Sequence, residues 1–325
     1  MAGSRDSRPR LSMIAENPAL CGRIRFSIPH TSDMIRREPA FHLTEAPAPR
    51  CVQTFKQTLA KGGGANERSD RNRMDRPHLK AFNPWMGCQK VSQGCRFCYA
   101  EVLTKGRMQL DVFGPNTAKR QRTSERYWRG PLNWNRQAQT RRDPLRVFCA
   151  SLADVFEDAP ELNAWRRELW DVIDRTRWLD WQLLTKRPEN IERMLPDTWD
   201  ANSFGYWPHV WLGTSIERNE VRDRSHILTA VPAHVHFISY EPAIGPADDV
   251  DLEGIEWMIV GGESGPGYRP MKLSWARDMQ MRCAEVSVRY FFKQDSSHRS
   301  EQGADALGRI YRDYPESWNR QPLSF

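Results

Sequence analysis

Residues 146–187, RVFCASLADVFEDAPELNAWRRELWDVIDRTRWLDWQLLTKR, read as a strand, a helix and a second strand, and that unit decides the fold. Residues 146–150 (RVFCA) and 181–184 (WQLL) are short apolar runs of strand length. Between them, residues 161–175 place Leu162, Trp165, Leu169 and Ile173 on one helical face behind Pro160, a residue suited to a first helical turn. The spacing recurs through residues 210–213 (VWLG), 235–239 (VHFIS), 257–261 (WMIVG) and 288–293 (VRYFFK). Pro188, and Ser274 ahead of WARDMQMRCAE, are further helix-start signals. Near-continuous apolar strands separated by helices predict an α/β fold with a parallel sheet covered on both faces, either a barrel or an open doubly wound sheet.

The residues just beyond each strand favour the barrel. The strand ends read SLAD (151–154), TKR (185–187), TSIE (214–217), YEP (240–242), GESG (262–265) and QD (294–295), each with polar groups. In a barrel such ends converge on one rim, where barrel enzymes assemble their sites. An open sheet would bring them together only at a switch point, and no Gly-rich dinucleotide fingerprint comes after an early strand. The expectation is a partial or full parallel (β/α) TIM-like barrel over residues 75–325. At its mouth Lys186, Arg187 and Lys293 offer positive charge for a carboxylate or phosphate. Glu217, Glu241 and Glu263 offer carboxylates for hydroxyls, an amino group or base work, or for structural ion pairs. Ser151 and Asp154 stand at the first of these ends, Asp154 being equally suited to capping a helix.

Composition sets wider bounds. With 325 residues, 39% hydrophobic and 27% charged, the chain has a globular balance, and no apolar run approaches the roughly 18 residues of a membrane span. The opening MAGSRDSRPR lacks a secretory h-region, so the cysteines are expected to work in a reducing cytoplasm. The net charge of +7 is unevenly spread: residues 1–74 hold 13 Lys and Arg against 7 Asp and Glu, and the rest 35 against 34. All 13 tryptophans lie between Trp85 and Trp318, and residues 61–73 (KGGGANERSDRNR) read as a linker. Residues 1–74 are therefore expected to be a poorly ordered basic tail, a solvated arm or one that touches phosphates; alternatively Met74 opens the working protein.

The chemistry concentrates in residues 82–101, FNPWMGCQKVSQGCRFCYAE, where Cys88, Cys95 and Cys98 fall within eleven residues. Gly87 and Gly94 let such a loop wrap tightly around a metal or an iron–sulfur cluster. Residues 99–103 read as the start of a helix, whose N-terminus suits a negatively charged cluster. Structural zinc demands a fourth ligand that no second C-x2-C or H-x3-H supplies nearby, leaving His78, Cys149 or Cys283 to complete it through the fold. Cys21, Cys51, Cys149 and Cys283 are scattered and read as free or buried thiols.

These motifs, together with LLTKRPEN, WLGTSIE, FISYEPAIG, IVGGESGPGYRPM and YFFKQ, resemble in order those of a phage-associated bacterial family of radical-SAM-like three-cysteine proteins, distantly like spore photoproduct lyase. The resemblance runs from about Lys80 to DALGRIYRDYP. It implies a [4Fe–4S] cluster on Cys88, Cys95 and Cys98, with S-adenosylmethionine chelating the open iron, and cleavage on reduction to a 5′-deoxyadenosyl radical. It also implies Phe97 beside the adenine and Gly261, Gly262 and Glu263 at the amino group. Ser151, Asp154, Lys186, Glu217 and Glu241 are the further cofactor-contact candidates at the mouth. Six residues separate Cys88 from Cys95, where the common radical-SAM spacing has three, and the Gly-Gly-Glu tripeptide comes after the fifth strand beyond the loop rather than the second.

Two functions compete on this reading. One is a radical-SAM-type enzyme fed by an electron donor and acting on an unidentified substrate, a nucleic acid being one class. The other is a non-catalytic iron–sulfur or zinc module for a partner, since the family is associated with a three-cysteine-motif partner protein. A third, nucleic-acid binding through the basic tail alone, would be salt-sensitive. Neither a P-loop nor a nucleophile elbow occurs, which disfavours phosphoryl transfer and simple hydrolysis.

Overall fold

Strand β1 (Leu79–Phe82) is succeeded by the two-residue strands β2 (Trp85–Met86) and β3 (Gln121–Arg122), which pair antiparallel with each other. The main sheet then adds β4 (Leu145–Cys149), β5 (Leu179–Thr185), β6 (Val210–Ser215), β7 (Val235–Tyr240), β8 (Trp257–Gly261) and β9 (Arg289–Gln294). The computed structural model describes residues 79–115, 119–199 and 207–317. The basic tail at residues 1–74, with Cys21 and Cys51, lies outside the described residues, as does His78.

All six predicted runs are strands. Every pairing in the main sheet is parallel, in the order β1-β4-β5-β6-β7-β8-β9, and the sheet curls into a half-barrel whose edges are β1 and β9. The central strands β6 and β7 are buried at every position, which is why they read as unbroken apolar runs rather than as alternation. One face, with Val147, Leu183, Leu212, Ile238 and Val260, joins the core that includes Leu162, Leu169, Ala276 and Met279 of the flanking helices. The other face buries Trp211, Val235, Phe237, Trp257 and Ile259, with Phe291 and Tyr314 packed on them.

Among the described residues the helices are α1 (Tyr99–Arg107), α2 (Glu125–Trp128), α3 (Gly130–Arg141), α4 (Leu162–Asp174), α5 (Ile191–Met194), α6 (Arg224–Thr229) and α7 (Leu273–Glu285). In α4 the predicted face holds, since Leu162, Leu169 and Ile173 are fully buried, while Trp165 packs at its margin against Trp85. Arg166 is buried beside them because its guanidinium donates to the carbonyls of Val155 and Glu157, at 2.8 and 2.7 Å, tying the helix to the segment after β4. Two helix-start expectations need adjusting. Pro188 opens a 3-10 turn that precedes the single turn of α5, and Ser274 lies inside the first turn of α7, whose N-cap is Lys272. Among the described residues, no helix is long and apolar enough to cross a membrane.

Candidate functional site

The cysteine loop leaves β2 through Gly87, whose φ of +107° is left-handed and whose N–H donates to the Leu152 carbonyl at 2.9 Å. A Cβ there would collide with the Val112 carbonyl, so only glycine satisfies both the conformation and the space. Gly94 is required for a different reason: the Glu217 carboxylate occupies the place a Cβ would take. Ser92 Oγ donates to Glu217 Oε1 at 2.6 Å, so the middle of the loop is pinned to the end of β6. A 3-10 turn at Gln93–Cys95 comes next, and Cys98 is the N-cap of α1, as the helical reading of residues 99–103 expects.

Cys88 is fixed through its neighbour. The Gln89 N–H donates to Glu157 Oε1 at 2.9 Å, and the Gln89 carbonyl accepts from Arg187 Nη2 at 2.6 Å. Glu157 is itself held by Arg120, through Nε at 2.9 Å and Nη2 at 2.7 Å, in a pair whose side chains are almost entirely buried. Arg187 Nη1 reaches Asp154 Oδ2 at 2.8 Å and Cys88 Sγ at 3.5 Å. Asp154 also accepts from the Phe156 N–H, Thr185 Oγ1 and the Lys186 N–H, at 3.0, 2.7 and 3.2 Å. Four donors fill the acceptor sites of one carboxylate, so Asp154 serves as the anchor of Arg187 and of the β5 terminus.

The thiols feel these surroundings. Burial, and then the Asp154 carboxylate, push the Cys88 thiol pKa up, with Arg187 pulling against them. Burial also raises that of Cys98, opposed by the backbone N–H groups of Glu101 and Ala100 at the start of α1 and by Lys186. Ser92 Oγ lies 3.8 Å from Cys95 Sγ. Among the described residues, no group of three or more His, Cys, Asp or Glu side chains is placed to hold a metal ion. The donor chemistry nevertheless fits thiolate ligation of a cluster: three sulfurs on one loop, a guanidinium on one, and helix N-terminal N–H groups at another. Cys149 and Cys283 are buried in the helix-side core, as free thiols should be, and do not join the loop.

The remaining candidates line the strand ends, most of them already engaged. Glu217 is buried and bridged by Lys186 Nζ at 2.8 Å and Arg224 Nη1 at 3.1 Å. Burial alone would raise its carboxyl pKa, but the two cations and the Lys186 and Ser92 hydrogen bonds together hold it below the ordinary value. Glu241 pairs with Lys293 at 3.0 Å, accepts from Ser239 Oγ at 3.1 Å and lies where a Cβ on Gly261 would sit. Ser151 exchanges hydrogen bonds with the Asn83 side chain and accepts on its carbonyl from the Tyr99 hydroxyl at 2.8 Å. Glu263 accepts from the N–H and Nε of Arg269, both at 2.8 Å, and pairs with its Nη2 as well. Arg269 then reaches the Gln93 carbonyl at 3.1 Å and stacks 5.3 Å from the Phe97 ring centroid, with Arg96 at 5.1 Å. Gly262 donates to the Gln294 carbonyl at 3.0 Å and has no room for a Cβ beside the Ser296 backbone.

The structure thus gathers the three cysteines with Asp154, Lys186 and Glu217 around one loop, while Glu263 hooks that loop from the far side through Arg269. Arg120, Glu157, Arg269 and Asn83 escaped the sequence reading. For Glu157 a signal was present: a carboxylate directly after Val155 and Phe156 in an apolar context needs a buried partner.

Fold and site define a parallel α/β half-barrel protein with a three-thiol loop at the C-terminal ends of its strands. The chain belongs to the family described as protein of unknown function (DUF5131), whose model matches residues 78–322. No curated protein and no solved structure matches it.

Proposed function

We propose that the protein is a radical-SAM-type iron–sulfur enzyme built on a partial TIM-like barrel, with Cys88, Cys95 and Cys98 as cluster ligands. The observation that carries this reading is the loop itself. Three thiols sit at the strand C-terminal ends with Arg187 on the sulfur of Cys88 and the α1 N-terminus at Cys98. A metal deprotonates a coordinating thiol outright, and donors of this kind favour the resulting thiolate. When bound on Cys88, Cys95 and Cys98, the cluster would supply one electron, taken from an external donor, for splitting S-adenosylmethionine into methionine and a 5′-deoxyadenosyl radical able to take a hydrogen atom from substrate.

The chain's own residues would do the holding. Glu241, with its carboxylate over Gly261, and Lys293 offer paired charges at the mouth, and Tyr99, directly after Cys98, is tied by its hydroxyl to the Ser151 carbonyl. Phe97, under two guanidinium groups, presents a fixed ring beside the last ligand. The radical would act in the cytoplasm, with a nucleic acid as one candidate class of substrate.

One observation favours the rival reading, a non-catalytic iron–sulfur or zinc module for a three-cysteine-motif partner. Glu263 and Glu217, both candidates for cofactor contact, are spent on fastening the loop. Anaerobic reconstitution with iron and sulfide, then electron paramagnetic resonance with and without S-adenosylmethionine, separates the two. The enzyme reading expects a reduced-cluster signal that shifts on adding S-adenosylmethionine. Zinc retained in place of iron would overturn it and leave the module.

A further inference from the structure

We infer that Arg187 sets the reduction potential of the cluster through Cys88, with Asp154 as its counterweight, an inference that rests on the cluster reading above. Arg187 leaves β5 one residue beyond Lys186 and crosses to the loop, a contact 99 residues apart in sequence. Its guanidinium is always charged and is only 7% exposed. In such a site charge interactions are weakly screened by water and a fixed cation acts at full effect.

The geometry gives each member of the triad a direction. Arg187 Nη1 stands between Asp154 Oδ2 at 2.8 Å and Cys88 Sγ at 3.5 Å. Reduction adds an electron to the cluster, so a cation and N–H donor at a ligand sulfur favours the reduced form, and a bare carboxylate opposes it. Without Arg187 the sulfur loses its donor and faces Asp154 unshielded, both of which lower the potential. Without the charge on Asp154, Arg187 acts unopposed and the potential rises. A merely structural role would move both variants the same way, toward lost cluster.

Arg187 is thus a positioning residue, since it acts through Cys88, and its substitution is survivable. Asp154 keeps its three other donors, and the Gln89 N–H keeps Glu157. The test is a redox titration, read by electron paramagnetic resonance, of the reconstituted full chain and of Arg187→Met, Arg187→Lys and Asp154→Asn. For Arg187→Met the reduced-to-oxidised ratio at a fixed potential should fall about tenfold, a shift of about 59 mV for a one-electron couple. Arg187→Lys, which keeps charge without the planar fork, should shift less in the same sense, and Asp154→Asn in the opposite sense. Should Arg187→Met fail to hold cluster, the lysine variant decides: a lowered potential supports the inference. An unchanged potential at equal cluster content, in either arginine variant, overturns it. Failure of the parent chain to take up a cluster overturns the cluster reading itself, and is seen before any variant is compared.

Discussion

Glu217 shows how much a single side chain does here. It fills the space beside Gly94, accepts from Ser92, and pairs with both Lys186 and Arg224. Its folded pKa lies below the ordinary carboxylate value, so it contributes stability that is fully present above the unfolded pKa and is lost as pH falls through the folded one. Glu217→Gln should therefore cost about 2–3 kcal/mol near neutral pH, less than the roughly 3–5 of a fully buried pair because both cations keep some solvent. Thermal melts between about pH 3 and 7 check this: the parent loses Tm on the acid side, and the variant, lower throughout, loses less. An equal acid slope in both would show that Glu217 is not linked to folding. The thiols were legible because three cysteines in one loop are conspicuous by themselves. Of the charges around them, Arg187 was legible as a mouth cation but not as the partner of Cys88, and Arg120 was not legible at all, because such side chains are ordinary charges until the fold buries them against one another.

At the level of elements, the strands were legible for the reason that they are central. Strands buried on both faces are apolar throughout, and β6 and β7 are buried at every position. Strand β1, Leu79–Phe82, went unread because three of its four residues are exposed on a sheet edge, leaving Phe82 as its one apolar anchor. Ends were harder than middles: Ser274 is a good capping residue by type, yet α7 begins one residue earlier. Packing across strands was not legible at all. Gly213 of β6 lies level with Phe237 of β7, and the Phe237 ring covers the place where a Cβ would be. Gly213→Ala should overpack this face and cost about 1–3 kcal/mol, seen as a Tm several degrees lower with the far-ultraviolet spectrum unchanged. A melt matching the parent would mean that the Phe237 ring moves aside without cost.

For the whole molecule, charge is divided unevenly along the chain. Up to residue 74 basic residues outnumber acidic ones by 13 to 7, whereas from residue 75 the counts are 35 and 34. The family model begins at residue 78, and every residue of the candidate site lies within it. The half-barrel and its cysteine loop therefore carry almost no net charge with which to hold a phosphate backbone at long range, and the excess belongs to the N-terminal segment. A chain opening at Met74 should melt at the parent's temperature and take up the same iron and sulfide per chain on reconstitution. Whatever binding the full chain shows to a single-stranded oligonucleotide, with log affinity falling against log salt, should vanish from it. Binding that survives the truncation with its salt slope intact would move the phosphate contacts onto the half-barrel, where Arg96, Arg269 and Lys293 at the mouth would be the first side chains to replace.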